Sequence, residues 1–196
     1  MRHLRAALNI SYASVVWSVL AGSVSVIIGL RSGSTALVGT GTDLIADLVS
    51  SLVLVWRFRV ELHGGRPGHE VERRAHLVAA LALLVVAVGV AAGAIERLAA
   101  GHGASPEAAG IAVAAASVLM LPVLAIGKRR IAAAIPSPAL RTDAAITLVG
   151  AATAALSLVG LVLTEALKWT SADPAAALGI AVLAGAAGIR ELLARD

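Results

Sequence analysis

Six apolar stretches alternate with short polar breaks along the chain, at residues 6–30, 35–56, 77–95, 108–127, 139–163 and 174–193. Each is close to the roughly 20 residues that an α-helix needs to cross a hydrocarbon core of about 30 Å. The pattern predicts an all-α membrane protein, a six-transmembrane-helix bundle forming one domain over 1–196, with no soluble C-terminal domain. The stretch at 6–30 follows a short basic N-terminus, but it is about twice the length of a signal-peptide core, so a retained first helix is expected.

Polar side chains inside the spans are few, and they fall in lines. Ser11, Ser14, Ser18 and Ser25 share one face of the first helix, which is expected to look into the bundle. The second span holds Gly-Thr-Gly-Thr-Asp-Leu-Ile-Ala-Asp, residues 39–47. Its two carboxylates, Asp43 and Asp47, stand four apart near the middle of the span and so lie one above the other on one face. Gly39, Thr40, Ser50 and Ser51 are read as continuing that face as a small polar stripe. The fifth span carries a matching line, Asp143, Thr147, Gly150, Thr153 and Ser157. From its distance to the span end, Asp143 is expected about one turn nearer the membrane surface than Asp47, with Thr147 at the level of Asp47. Arg141 is the expected partner of Asp143.

The breaks carry the end signals of helices. Residues 31–34 predict a tight turn. Ser105-Pro106-Glu107 reads as a cap, a first-position Pro and a first-turn acid before helix four, and Asp173-Pro174 repeats the signal before helix six. Pro122 predicts a kink in helix four, and Lys128, Arg129 and Arg130 read as its end. The basic loop at 57–75 contains or adjoins His63, His69 and His76. Their spacing fits no metal motif, so they read as solvated. Helix three has no polar side chain over 77–95 and is expected to face lipid or a partner subunit.

Composition narrows the classes. An apolar content of 59% and a mean hydropathy of +0.90 exceed what a soluble domain can bury. The absence of Cys removes disulfides, thiolate metal sites and Cys nucleophiles. Of the 16 Lys and Arg, only Arg31, Arg97 and Lys168 fall at the ends opposite the termini, and the other thirteen lie on the side of the termini. The positive-inside rule then predicts that both termini are cytoplasmic, in a multi-pass protein of a bacterial cytoplasmic membrane.

An Asp at the bilayer centre costs about 2.5–3.5 kcal/mol on insertion scales. Two on one helix face point to a cavity that binds or carries a cation, rather than to helix packing that a Ser or Thr would serve at lower cost. Two carboxylates this close do not both ionise cheaply, so one is expected to hold a proton that a dication displaces. Proton-coupled antiport follows. The candidate ligands are Asp43, Asp47, Asp143 and Thr147, all oxygen donors, which on their own favour manganese or magnesium.

Asp-Leu-Ile-Ala-Asp in helix two and Ala-Leu-Arg-Thr-Asp-Ala-Ala in helix five resemble the cation diffusion facilitator, or cation efflux, family. The Ser-Pro-Ala-Leu lead-in to helix five, the basic second loop and the order of six helices match as well. The resemblance covers nearly the whole chain and corresponds to that family's transmembrane domain. It implies divalent metal transport with zinc favoured, manganese, iron or cobalt as alternatives, and exchange for protons. It carries the first ligand pair onto Asp43 and Asp47. The family's second pair, a His and an Asp of helix five, falls on Ile146 and Gly150, whose side chains cannot ligate. The chain thus resembles a short, divergent branch.

The expected function is export of a divalent cation across the lipid bilayer, with no resident cofactor, no catalytic residues and no nucleic-acid partner. Helices three and six are the expected homodimer interface. The alternative is a non-transporting partner or regulator derived from the same family. An intramembrane aspartyl protease is a third reading, suggested by two intramembrane acids and Pro138-Ala139-Leu140. It is disfavoured because Gly39 to Asp43 has one residue too many for that motif and because both acids share one helix.

Overall fold

A computed structural model describes residues 2–64, 69–101, 104–135 and 137–193; within these, the side chains of 69–76, 78, 79, 82, 138 and 191 are left aside. Among the described residues the chain forms six helices and no strand: α1 (Arg2–Ser32), α2 (Thr35–Leu62), α3 (His69–Ala100), α4 (Ala108–Ala134), α5 (Pro138–Leu167) and α6 (Ala172–Leu193). All six are long and apolar enough to cross a membrane. Most run past the apolar stretches of the sequence. The extension is largest at α3 and α4, because flanking Arg, Lys and Glu are good helix formers and do not end a helix.

The helices run up and down. At one end, Ala7 of α1, Leu54 and Phe58 of α2, Ala132 of α4 and Leu140 of α5 form one buried cluster. At the other end α1 turns into α2 through Gly33, at φ 70°. The Ser34 amide then bonds back to the Gly29 carbonyl at 2.9 Å, a left-handed C-terminal motif that only Gly adopts without strain. Ser34 caps α2 by accepting from the Leu37 amide.

Packing makes α2 the central helix, touching α1, α3, α5 and α6, while α4 lies against α1 and α5. The small residues around Asp43 are divided among these neighbours. Gly41 lets α1 approach, since a Cβ there would stand 2.7 Å from Val26 Cγ2 and 2.9 Å from the Gly22 carbonyl. Gly39 meets Val90 of α3 and Ile180 of α6, so it belongs to a packing face and not to the stripe of the carboxylates.

Lipid-facing and bundle-facing sides separate cleanly. On α1, Ser11, Ser14, Ser18 and Ser25 are buried, as the sequence predicts, while Val16, Leu20, Val24 and Ile27 are exposed. On α3, Ala80, Leu83, Ala87, Val90 and Ala94 are buried at alternating steps of three and four. They pack against α2 and α6. Leu81, Val85, Val88 and Ile95 form the exposed side of the same helix. Helix three is therefore half committed inside the protomer. Gly185 of α6 faces Ala87 of α3 in the same chain, whereas Gly89 has open space around it.

Three of the end signals resolve differently from expectation. The N-cap of α4 is Glu107, with no side-chain bond, and the Ser105 amide instead bonds to the Ser32 carbonyl at 2.9 Å, tying this loop to the end of α1. Helix α4, with Pro122 inside it, does not end at Lys128, Arg129 and Arg130 but runs on to Ala134. Asp173 lies inside the first turn of α6, and its carboxylate caps a different helix. It accepts from the Thr35 amide at 2.9 Å, the Ala36 amide at 3.4 Å and the hydroxyls of Thr35 and Ser34. The first turn of α2 presents unbonded amides and a positive dipole end, and the buried Asp173 is the anion that satisfies them.

Candidate functional site

The site lies in the seam between α2 and α5, with α1 and α4 as its walls. Asp43 and Asp47 are both 2% exposed, and Asp143, Thr147 and Thr153 are fully buried. The four sequence candidates, Asp43, Asp47, Asp143 and Thr147, thus meet in one seam. The matching stripes of α2 and α5 produce this, because steps of three and four keep them facing along several turns.

The seam has two levels. At the upper one, Thr153 donates to Asp43 Oδ2 at 2.9 Å, and Thr40 donates to the Thr153 carbonyl at 3.2 Å. Gly150 faces the same carboxylate, since a Cβ at 150 would stand 3.5 Å from Asp43 Oδ2. At the lower level, Asp47 accepts from Ser18 of α1 at 2.8 Å on Oδ2 and from Thr147 of α5 at 2.6 Å on Oδ1. Thr147 therefore stands at the level of Asp47, as expected. Asp143 lies one turn below, where Ser51 donates to its Oδ1 at 3.4 Å.

The partner of Asp143 is not Arg141, which is exposed. It is Lys128 of α4, whose Nζ lies 2.7 Å from Asp143 Oδ2 and 3.7 Å from Asp47 Oδ1. The ammonium also donates to Thr147 Oγ1 at 2.7 Å and to Ser51 Oγ at 3.3 Å. Lys128 is fully buried, while Arg129 and Arg130 beside it are exposed. In the sequence all three read as the end of helix four. Instead α4 runs two turns further and rotates the first of them inward. An ammonium has three donors, and three of these four oxygens stand within hydrogen-bond distance of it. Breaking such a pair by removing one member typically costs about 3–5 kcal/mol, because the other is left buried and unpaired. A signal for this existed. The 128–130 triplet directly abuts an apolar span, and one residue in it shares the helical face of Leu121, Leu124 and Ala125, which are buried.

The expected stripe extends beyond these bonds. Ser14, Ser117 and Ser157 carry buried hydroxyls with no hydrogen-bond partner among the described residues, on α1, α4 and α5. His63, of the second loop, is exposed and contacts the Arg59 carbonyl through Nδ1. The side chains of His69 and His76 lie outside the described ones. Among the described residues, no three of His, Asp and Glu converge on a common point that would hold one metal ion. A cation in the seam would draw on at most two carboxylates plus hydroxyl and carbonyl oxygen. Ile146 is buried.

Comparison with curated proteins finds no significant match. Comparison with protein families does: the cation efflux transmembrane domain matches residues 11–194, which takes in α1 from Ser11, the whole of α2 to α6 and every residue of the seam. The paired acids of α2, the facing stripe of α5 and that match agree, and the chain belongs to the cation efflux family of metal cation transporters.

Proposed function

We propose that this protein exports a divalent metal cation across the membrane in exchange for protons, with Asp43 and Asp47 as the principal ligands. The observation that carries this reading is the placement of both carboxylates, buried in mid-span on the α2 face that meets α5, each held by a hydroxyl of α5. An intramembrane acid pair facing a polar seam is costly to insert and is characteristic of an ion pathway. The unbonded serine hydroxyls along the seam offer further oxygen to a partly hydrated cation.

Zinc is the cargo that the family favours, whereas oxygen-only donors suit manganese or magnesium better. Coupling to protons follows from the chemistry of the ligands, because a carboxylate must give up its proton to bind a metal. The distribution of basic residues supports cytoplasmic termini. The exposed face of α3 around Gly89 is the surface we assign to a homodimer.

The test is metal uptake into everted vesicles. Asp43→Asn and Asp47→Asn are each expected to abolish uptake while the protein is still inserted at normal levels. Wild-type flux in either variant would remove the assignment. One observation favours a second reading, a family member that regulates a partner without transporting. Lys128 already places a positive charge between Asp47 and Asp143. Purified protein in liposomes that carries no flux for any of zinc, manganese, iron or cobalt would decide for that reading.

A further inference from the structure

The lower level of the seam has the form of a cation-coordination shell whose occupant is part of the chain. Ser51 Oγ, Thr147 Oγ1 and Asp143 Oδ2 stand 3.3, 2.7 and 2.7 Å from the Lys128 ammonium, with Asp47 Oδ1 at 3.7 Å. These oxygens come from α2 and α5, the two helices that carry the acids. The ammonium comes from α4, which packs against α1 and α5, and the length of the lysine side chain brings the charge across to α2. The Asp143 contact is a close ion pair at 2.7 Å, so the ammonium stands where a cation between Asp143 and Asp47 would stand. Carboxylate and hydroxyl oxygens are the donors that hard divalent cations take, with water filling the remaining positions.

We propose that Lys128 is a built-in cation that holds a second, oxygen-lined metal site closed, and that it thereby confines the cargo to the Asp43 side of the seam. The inference rests on the reading of the seam as a cation path and adds a specificity-determining residue to it. Charge fixes its direction. With Lys128 in place, Asp143 is neutralised by a tethered partner, and Asp47 is shared between that partner and the cargo. Without it, Asp47 and Asp143 on facing helices become a two-carboxylate site for a divalent ion, completed by Thr147 and Ser51. A dication repelled by a fixed ammonium in the wild type would be attracted in its absence. The lysine therefore sets how tightly the lower level holds metal, and a loose hold favours release.

The experiment uses the whole purified protein in lipid nanodiscs, with Mn²⁺ as the probe, and reads binding by calorimetry and by the shift of the melting temperature. Lys128→Met is expected to melt below wild type in metal-free buffer, to recover on adding Mn²⁺, and to bind Mn²⁺ at least tenfold more tightly than wild type. Lys128→Met combined with Asp143→Asn, which removes both charges, is expected to fold without metal and to lose that gain. Lys128→Met that folds and binds Mn²⁺ no better than wild type overturns the proposal. So does Lys128→Met that is recovered only when Asp143→Asn is added, with or without Mn²⁺ during expression, because metal then cannot replace the ammonium. The outcome is separable from the transport reading. Tight binding by Lys128→Met with no flux in wild type would sink transport and leave this site standing. Wild-type flux with no gain in Lys128→Met would do the reverse.

Discussion

The hydroxyl of Thr147 lies 2.6 Å from Oδ1 of Asp47 and joins α5 to α2 at the lower carboxylate. The same oxygen accepts from Lys128 at 2.7 Å, so one hydroxyl orients the acid and the ammonium together. Thr147→Val keeps the shape of the side chain and removes both bonds. It is expected to lower vesicle uptake at least tenfold and to destabilise the protein by about 1–3 kcal/mol, the usual penalty for buried polar groups left without a partner. Thr147→Ser is expected to restore most of both. Uptake in Thr147→Val equal to wild type would mean that the hydroxyl does not orient the acid.

Restoring the family's second ligand pair is a direct test of the seam. A Cβ at 150 meets Asp43 Oδ2 at 3.5 Å and Leu121 Cδ1 at 3.6 Å, which is ordinary contact, so the position has room for a side chain that points at Asp43. Ile146→His with Gly150→Asp is expected to bind zinc more tightly than wild type, with protons released on binding. Isothermal titration in two buffers of different ionisation enthalpy reads both quantities. A folded double variant with unchanged zinc affinity would show that position 146 does not turn toward α2.

Asp173 acts at a distance in sequence, joining the start of α6 to the start of α2. Asp173→Asn keeps an acceptor and loses the charge, while Asp173→Ala loses both. The expected order of melting temperature is wild type, then Asn, then Ala, with Ala less stable by about 1–2 kcal/mol from the lost cap. Equal melting of Ala and wild type would remove the capping role.

The chain has no Cys of its own, so introduced thiols report cleanly. A Cys at Ala104 is expected to react with an impermeant maleimide added from outside intact cells, and labelling only from the cytoplasm would invert the proposed orientation. A Cys at Gly89 is expected to crosslink two protomers, and one at Gly185 is not, because that residue faces Ala87 of its own chain. Crosslinking at Gly185 without Gly89 would place the dimer elsewhere.

The six helices were legible because hydrophobic length is a strong signal and membrane helices carry it almost undiluted. The seam was legible for a related reason. Serines at 11, 14, 18 and 25 and the line from Asp143 to Ser157 repeat at helical steps, and burial follows the step. What the sequence did not yield are the features that depend on rotation and length at helix ends. Lys128 sits in a basic triplet that resembles an interfacial flank, and only the continuation of α4 to Ala134 turns it inward. Asp173 followed by Pro has the local form of a cap for its own helix, and its actual partner is remote in the chain. Gly39 shared a four-residue step with Asp43, yet the approach of α3 and α6 claims it for packing. Each of these needed the identity of the neighbouring helix, which periodicity alone does not supply.

The burial of Lys128 also constrains the order in which the protein is made. Ribosomal synthesis delivers α2 with its two acids first, then α4 with the lysine, and α5 with Asp143 last. Until α5 arrives, Lys128 stands at the end of an apolar helix with a side chain long enough to reach the lipid headgroups, where its charge is hydrated. Its move inward becomes favourable only when Asp143 and Thr147 come to meet it. Closure of the seam thus waits for α5, and until it docks the acids of α2 lack the Thr147 and Thr153 hydroxyls that meet them. A chain arrested after Ala134 would keep the Ser18 bond to Asp47 but leave Asp43 without the Thr153 hydroxyl that satisfies it, at the cost of an unpaired polar group inside the membrane.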